Sequence, residues 1–306
     1  MSYAMRKSRV LELLRRGETV VCTKLNLADS RAAEIAALSG FDCVWTDMEH
    51  VANDWSAIER TILAAKVHQT DTIVRVARGG YSDYVRPLEL DAAGIMVPHV
   101  MSAADAAEVV RHTKFHPLGL RPVDGGNADG AYCMVGLDDY MRQANEERFT
   151  IIQIEDVEPL EELEAIVSMP GIDIVFFGPG DFSQSIGCPG QMDHPLLLET
   201  RRRIGELAAR HGKFAGTVGS VDNFATLVGE GYRFISVGAD VVGLGQYYQG
   251  LMQGLRHVAS PADAVGGTGA VSEPGETARP AHPGGNGAPG STGGGLYSGR
   301  SGEAEA

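Results

Sequence analysis

Short apolar segments and longer helical segments alternate regularly along the first 259 residues of this chain. Eight of the apolar segments are rich in β-branched residues and run continuously, which is typical of parallel strands covered on both faces. Helical stretches such as 29–40, 54–69 and 102–113 separate most of them. The predicted strands are residues 19–25, 41–48, 72–77, 94–100, 149–155, 172–178, 213–219 and 233–239.

Eight strand–helix alternations in about 250 residues predict an α/β fold, a closed (β/α)8 TIM barrel. The alternative is an open Rossmann-type sheet, which carries a G-x-G-x-x-G motif after its first strand. Residues 26–30 read NLADS at that place, so the barrel is favoured. The predicted N-caps and C-terminal stops of the helices are Asp29, Asp54, Ser102, Gly40 and Gly212.

The longest connection between two predicted strands covers residues 114–148 and follows strand four. It contains a Gly- and Asp-rich stretch, residues 119–132, that is too long for a simple turn. We expect this connection on the catalytic face of the barrel, as a lid or a subunit contact.

The composition changes sharply after Ala259, and this change defines two predicted regions, a barrel domain at 1–259 and a tail at 260–306. The tail has 13 Gly and 5 Pro among its 47 residues and almost no large apolar side chain. Such a segment cannot bury enough surface to offset its ordering entropy, so we expect a disordered C-terminal tail.

Charge and cysteine content exclude several classes of function. The net charge of −14 opposes binding to phosphate backbones and anionic lipid, and no apolar run reaches the length of a membrane span. Cys22, Cys43, Cys133 and Cys188 form no C-x-x-C pair, which fits a reducing compartment. The first 17 residues predict an amphipathic helix rather than a targeting peptide. We therefore expect a cytoplasmic protein with no nucleic-acid or membrane partner.

Active sites of such barrels lie at the C-terminal ends of the strands, so the polar residues at those ends are the candidates. They are Asp47, Glu49 and His50 after strand two, Arg75 in strand three, Pro98 and His99 after strand four, Gln153, Glu155 and Asp156 at strand five, residues 178–181 after strand six, Thr217 in strand seven and Asp240 after strand eight.

Glu155 and Asp181 follow adjacent predicted strands and could together bind a divalent cation. Mg²⁺ and Mn²⁺ take one or two protein carboxylates and leave their other positions to water and substrate. The alternative is structural: Glu155 forms an ion pair and Asp181 caps the following helix.

Arg75 lies between Val74 and Val76 in a strand and therefore needs an anion, because an unpaired buried guanidinium is costly. That anion is either Glu155 or Asp181, in a structural network, or a substrate carboxylate held by two hydrogen bonds.

His50 follows two acidic residues, Asp47 and Glu49, and a carboxylate beside an imidazole prepares it as a general base. The alternative is an ordinary loop histidine. For His99 a role in packing, or in supporting the residues that contact the ligand, is favoured, and for Glu89 an exposed or interface position.

Taken in order along residues 5–258, these strand-end motifs resemble the HpcH/HpaI aldolase family. Its members are metal-dependent class II pyruvate aldolases related to 4-hydroxy-2-oxoheptanedioate aldolase. The motifs that carry the resemblance are WTDMEH (45–50), IVRVA (73–77), GIMVPHV (94–100), QIED (153–156) and FFGPGDFSQSIG (176–187).

The resemblance implies roles for the residues that match. Glu155 and Asp181 would bind the divalent metal (Mg²⁺, Mn²⁺ or Co²⁺), and Arg75 would contact the carbonyl of a 2-oxo acid. His50, oriented by Asp47, would transfer a proton.

Further roles come from the same resemblance. Gln153 would lie near the metal, and backbone amides around Gly180 and Asp181 would contact the substrate carboxylate. Glu89 would reach a neighbouring subunit's site in a homo-oligomer, a hexamer or trimer of dimers. The implied reaction is retro-aldol cleavage of a 4-hydroxy-2-oxo acid to pyruvate, or a related 2-oxo acid, and an aldehyde.

Other functions stay open at this stage. One is a malyl- or citramalyl-CoA-type lyase, and another is a non-catalytic barrel that binds a 2-oxo acid. Residues 216–220 and 236–240 would suit a phosphate site. A Schiff-base aldolase is less favoured, since the predicted strands contain only Lys24 and Lys213.

Overall fold

A computed structural model describes residues 3–258, which form a closed barrel of eight parallel strands in sequence order. The predicted TIM barrel is therefore confirmed. The predicted tail, 260–306, lies outside the described residues, and the domain boundary at 259 stays a prediction. The strands are β1 (Val20–Leu25), β2 (Cys43–Asp47), β3 (Asp71–Arg75), β4 (Gly94–Val97), β5 (Phe149–Ile154), β6 (Ile174–Phe177), β7 (Phe214–Gly219) and β8 (Tyr232–Ala239).

Helices alternate with the strands, and a 3-10 turn at Glu158–Leu160 follows β5. None of the helices described is both long enough and apolar enough to cross a bilayer. The helices are α1 (Arg9–Arg15), α2 (Ser30–Leu38), α3 (Trp55–Val67), α4 (Tyr81–Glu89), α5 (Ala103–Thr113), α6 (Leu137–Glu147), α7 (Leu163–Ser168), α8 (Pro179–Ser185), α9 (Pro195–Arg210), α10 (Phe224–Gly229) and α11 (Asp240–Val258).

The predicted helix caps are confirmed. The side chains of Asp29, Asp54 and Ser102 accept hydrogen bonds from backbone N–H groups in the first turns of α2, α3 and α5. After α2 and α9 the chain turns through glycines with positive φ, Gly40 at 95° and Gly212 at 65°.

The barrel interior is filled by inward-facing side chains such as Cys22, Trp45 and Phe176, which form one buried cluster. Val10 and Leu14 of α1 belong to the same cluster, so the predicted amphipathic N-terminal helix is confirmed and packs against the N-terminal part of the interior. Apolar side chains of α1 therefore cover this end of the interior, and the candidate site residues at the C-terminal strand ends lie at the other.

The long connection lies at the N-terminal ends of the strands, so its predicted place on the catalytic face is wrong. The reason is topological, since α5 directly follows β4 and returns the chain to the N-terminal end of the barrel. There Leu120 N–H donates to the Arg111 carbonyl at the end of α5 (2.7 Å), and Asn145 of α6 receives the Phe115 N–H (2.8 Å).

Gly94, the first residue of β4, is a position where the barrel has no room for a side chain. A Cβ there would lie 2.5 Å from the Phe149 ring and 2.7 Å from the Phe149 carbonyl oxygen. Gly94→Ala should therefore lower the free energy of unfolding by about 1–3 kcal/mol, as overpacking does. Chemical denaturation measures the change.

Gly229→Ala is the matched control, because no described atom lies within 4 Å of its Cβ position. Its stability should equal or slightly exceed that of the parent. Equal stability of the Gly94 variant and this control would contradict the packing argument.

Candidate active site

Two strand ends are joined by an ion pair between Asp47 and Arg75. The register pairs these residues at the last positions of β2 and β3. Arg75 donates through Nε to Asp47 Oδ1 (3.1 Å) and through Nη2 to Asp47 Oδ2. Asp47 is fully buried and the Arg75 side chain is 5% exposed. The anion that Arg75 needs is thus Asp47. Arg75 does lie in a structural network, but the expected partners, Glu155 and Asp181, are wrong, because the β2–β3 register brings Asp47 to the guanidinium.

Asp47 also contacts a second cation. The ammonium of Lys24, on β1, lies 2.9 Å from Asp47 Oδ2. Burial alone would raise the pKa of Asp47, but the hydrogen bond and charge of Arg75, together with Lys24, hold that pKa well below its usual range. Asp47 is therefore a fixed anion at the mouth of the barrel.

The turn after β2 is organised by the same carboxylate. Asp47 Oδ1 accepts the backbone N–H of Glu49 (2.9 Å) and of His50 (3.4 Å). The Glu49 carboxylate then lies 3.0 Å from Arg75 Nε. Two cations, Lys24 and Arg75, thus alternate with two anions.

The predicted pairing of Asp47 with the His50 ring is wrong. Both Asp47 oxygens are taken by cations and backbone N–H groups, and no hydrogen bond within residues 3–258 joins them to the ring. Instead His50 Nε2 lies 3.5 Å from Glu49 Oε2, and the side chain is 58% exposed. Asp47 contacts His50 through the backbone, while Glu49 lies beside the imidazole.

The Arg75 guanidinium keeps one nitrogen available. Its hydrogen bonds within the described chain use Nε and Nη2, which leaves the two N–H groups of Nη1 free for a ligand. A buried guanidinium that is fixed on one edge and free on the other can bind an oxygen of a small anion or carbonyl compound.

Glu155 supplies a buried carboxylate next to this cation. Its Oε1 accepts the His99 backbone N–H (2.9 Å) and its Oε2 accepts from Gln153 Nε2 (2.9 Å). Burial, together with the charges of Asp181 and Glu49, raises the pKa of Glu155 to about 7, although the His99 hydrogen bond opposes this.

The carboxylate of Glu155 lies against the start of α8. A Cβ at Gly178 would be 2.6 Å from Glu155 Oε2, so only glycine leaves room for this oxygen. Asp181, in the first turn of α8, is exposed. Its charge acts on Glu155, so the two predicted metal ligands lie at the same mouth.

This donor set fits a hard divalent cation. Glu155 and Asp181 repel each other, and the buried Gln153 Oε1 has no hydrogen-bond partner among the described residues. No group of three or more His, Cys, Asp or Glu suited to a metal occurs in residues 3–258. Carboxylate and amide oxygens are the ligands that hard divalent cations accept, and such cations need only one or two protein carboxylates.

His99 links strands β4 and β5 at the mouth. Its φ of 49° is rare for a residue with a side chain. Three contacts hold His99 in place. Its backbone N–H donates to Glu155, its carbonyl accepts from Arg78 Nη1 (2.7 Å), and its ring Nδ1 lies 2.8 Å from an Asp156 oxygen. Burial would lower the pKa of His99, but Asp156 and the neighbouring carboxylates raise it. The His99 side chain is 39% exposed and does not pack in the core, whereas its N–H supports the Glu155 carboxylate, so these contacts agree with the second of the two roles predicted for it.

Other strand-end candidates have local partners. Thr217 Oγ1 donates to the Phe177 carbonyl (2.9 Å), and Asp240 accepts the N–H groups of Asn26 and Leu27. Both therefore connect neighbouring elements. The Gly180 carbonyl accepts a hydrogen bond from the Ser183 hydroxyl (2.6 Å). The predicted contact of the Gly180 backbone N–H with the substrate carboxylate stays a prediction.

Glu89 lies away from this mouth. It ends α4, where its carbonyl accepts the Asp129 N–H (3.4 Å) of the long connection. Burial raises the pKa of Glu89. Its predicted role toward a neighbouring subunit stays a prediction.

Sequence analysis names Glu49 only as a strand-end candidate and Lys24 only as a disfavoured Schiff-base lysine, and it misses the ion pairs that place both in the site. A signal was available, because side chains two residues apart on a strand share a face. Lys24 lies two residues after the inward-facing Cys22 on β1, and Glu49 lies two residues after Asp47. Both side chains are therefore expected on the inner face, toward the polar mouth.

Comparison with known proteins agrees with this arrangement. A family model described as HpcH/HpaI aldolase/citrate lyase matches residues 24–244. The 2-keto-3-deoxy-L-rhamnonate aldolase of Klebsiella pneumoniae is 35% identical over 234 residues, which is 75% of this chain and 86% of that protein.

Solved structures give the same result. An HpcH/HpaI aldolase from Desulfitobacterium hafniense superposes with a TM-score of 0.76 at 30% identity, covering 85% of this chain and 99% of its own. An aldolase/citrate lyase family protein from Burkholderia cenocepacia gives 0.75 at 30% identity, covering 82% and 100%.

Removing either proposed metal ligand should weaken cation binding without unfolding the protein. We expect Glu155→Gln and Asp181→Asn each to reduce Mn²⁺ affinity by ~10-fold or more, because each removes an anionic donor. Titration calorimetry measures the affinity, and thermal unfolding checks the fold.

Glu158→Gln is the matched control, because Glu158 is exposed and lies three residues from Glu155. It should bind Mn²⁺ like the parent. Parent-like affinity in both ligand variants would place the cation elsewhere.

Proposed function

Because the chain belongs to the HpcH/HpaI aldolase/citrate lyase family and is a class II aldolase of it, we propose that it cleaves a 4-hydroxy-2-oxo acid to pyruvate, or a related 2-oxo acid, and an aldehyde. The named activity of its relatives supports this. A 2-keto-3-deoxy sugar acid has a ketone at C2, a methylene at C3 and a hydroxyl at C4. The observation that carries the proposal is the Arg75 guanidinium, which is bound to Asp47 through Nε and Nη2, has Nη1 free, and is within reach of the charge of the Glu155 carboxylate.

The reaction needs a site that stabilises negative charge on one oxygen. When the C3–C4 bond of the substrate breaks, its electron pair moves into the pyruvate fragment and onto the C2 oxygen as an enolate. Arg75 Nη1 would donate to that oxygen. A cation that is fixed before the reaction stabilises developing charge without reorganising.

Metal dependence is typical of this family, and Glu155 and Asp181 would hold the ion here. A divalent cation at this place, whether Mg²⁺, Mn²⁺ or Co²⁺, would act as a Lewis acid on the 2-oxo acid. Gln153 would contribute its unpartnered Oε1, and the backbone around Gly180 would bind the substrate carboxylate.

The proton on the C4 hydroxyl needs a base. We assign it to His50, because an imidazole is the side chain best suited to transfer a proton near neutral pH. Glu49, rather than Asp47, lies beside the ring, at 3.5 Å from Nε2. The exposed position of His50 leaves it free to meet the aldehyde-forming end of the substrate.

We also propose that the chain forms a homo-oligomer. None of the side chains described for α11 is buried, although this helix is largely apolar. A contiguous exposed apolar face marks an association surface, and we propose that a second copy of this chain covers it. The large exposed side chains are Val241, Val242, Leu244, Tyr247, Tyr248, Leu251, Met252 and Leu255.

The function is tested by a pyruvate-release screen over a panel of 4-hydroxy-2-oxo acids that includes 2-keto-3-deoxy sugar acids. Each compound is assayed with Mg²⁺, Mn²⁺ or Co²⁺ and after EDTA treatment. We expect pyruvate release that EDTA abolishes. Absence of pyruvate from every compound, or full activity in EDTA, would contradict the proposal.

Arg75→Met removes the proposed enolate contact. We expect kcat/KM to fall by ~10²–10⁴-fold, since a desolvated ionic contact to the transition state is lost. Arg86→Met is the control, because Arg86 is an exposed arginine that lies over the Trp55 ring. Equal kinetics for the two variants would remove Arg75 from the site.

The oligomer is tested by light scattering. The double variant Leu251→Glu, Leu255→Glu should shift the mass of the parent assembly toward the monomer, because charge on an apolar interface opposes association. The double variant Gln249→Glu, Gln253→Glu adds the same charge at polar positions of α11 and should keep the parent mass. A monomeric parent would overturn this part of the proposal.

A further inference from the structure

Lys24 is a buried ammonium group in the site that the reaction described above does not use. It lies on β1 with its side chain only 8% exposed. Among the described residues, Asp47 is its one carboxylate partner within 4 Å. A lysine is rarely buried without a specific reason, because removing its charge from water is costly.

Trp45 fixes the position of this ammonium. The β1–β2 register places Lys24 opposite Trp45, and Nζ lies 5.2 Å from the centroid of the indole ring. The Arg75 guanidinium lies 4.8 Å from the same ring. Both cations therefore contact the same buried ring, since Trp45 is only 3% exposed, and electrostatic interactions are strong in such a buried environment.

The charge balance at the mouth depends on Lys24. Lys24 and Arg75 together offset Asp47 and Glu49, so the four groups carry no net charge. Without Lys24 they would carry one negative charge next to Glu155. Arg75 would then face both carboxylates, Asp47 and Glu49, without a second cation, at the place where a further negative charge has to develop.

We propose that Lys24 is a positioning residue for enolate formation, which acts by neutralising Asp47 so that the Arg75 guanidinium keeps its charge for the C2 oxygen of the substrate. This inference rests on the proposed function. It assigns no bond to Lys24 itself, since the ammonium acts through Asp47.

The step it supports can be isolated with pyruvate alone. One C3–H bond of pyruvate breaks, and its proton passes to a base of the site and then to solvent. The electron pair forms the C2–C3 double bond and moves the carbonyl electrons onto the C2 oxygen. In D2O the reverse step returns deuterium to C3, so the methyl group gains deuterium at the rate of enolate formation.

The experiment follows this exchange by proton NMR with Mg²⁺ present, in the parent and in Lys24→Met, Lys24→Gln and Lys24→Arg. We expect Met and Gln to lower kcat for exchange by ~10–100-fold while KM for pyruvate changes by less than about 3-fold, because the charge acts where charge develops. Lys24→Arg should restore exchange to within about 5-fold of the parent.

Lys114→Met is the matched control. Lys114 is also a buried lysine paired with one carboxylate, Asp173 at 2.8 Å, but it lies at the N-terminal ends of the strands. Its loss should lower the melting temperature and leave exchange per folded molecule unchanged. The same pattern in Lys24→Met would show a merely structural lysine and overturn the inference.

Two further outcomes are decisive. Lys24→Gln keeps a donor for Asp47 but no charge, so parent-like exchange in that variant would overturn the role of the charge even if Lys24→Met does not fold. A parent that neither exchanges pyruvate nor cleaves any substrate would overturn the proposed function itself. An active parent with unaffected Lys24 variants would overturn only this inference.

Discussion

The mouth of this barrel depends on the buried carboxylate of Asp47. It holds Arg75 by two hydrogen bonds, receives Lys24 and fixes the turn after β2 through two backbone N–H groups. A buried ion pair of this kind seldom adds stability over apolar packing, and breaking it is costly. What this ion pair provides is a fixed Arg75 guanidinium whose Nη1 stays available to a ligand.

The part of the mouth that follows β5 has the reverse charge problem. Glu155 is buried beside Glu49 and within reach of the charge of Asp181, and its pKa rises to about 7 as a result. Carboxylates are rarely kept in such a position without a cation. Fixed positive charge on β3 and unbalanced negative charge after β5 thus lie at the same mouth, an arrangement that suits a cation together with a compound that carries a ketone and a carboxylate.

The fold could be predicted almost entirely, because continuous apolar runs and helix caps are local signals. The motif residues Asp47, Arg75 and Glu155 could be placed at one mouth for the same reason. The partners could not be predicted, because the β2–β3 register decides that Arg75, rather than the His50 ring, meets Asp47. Lys24 was considered only as a Schiff-base candidate, since its contact with Asp47 depends on the β1–β2 pairing.

Gly178 has a consequence for engineering this enzyme. Any side chain there would push into the Glu155 carboxylate, so the position tolerates no diversity while that oxygen is needed. His99, at the solvent edge with a 39% exposed side chain, is the opposite case. A mutant library that seeks new aldehyde acceptors should keep codon 178 fixed and sample position 99 with residues that accept a left-handed backbone, such as asparagine and glycine.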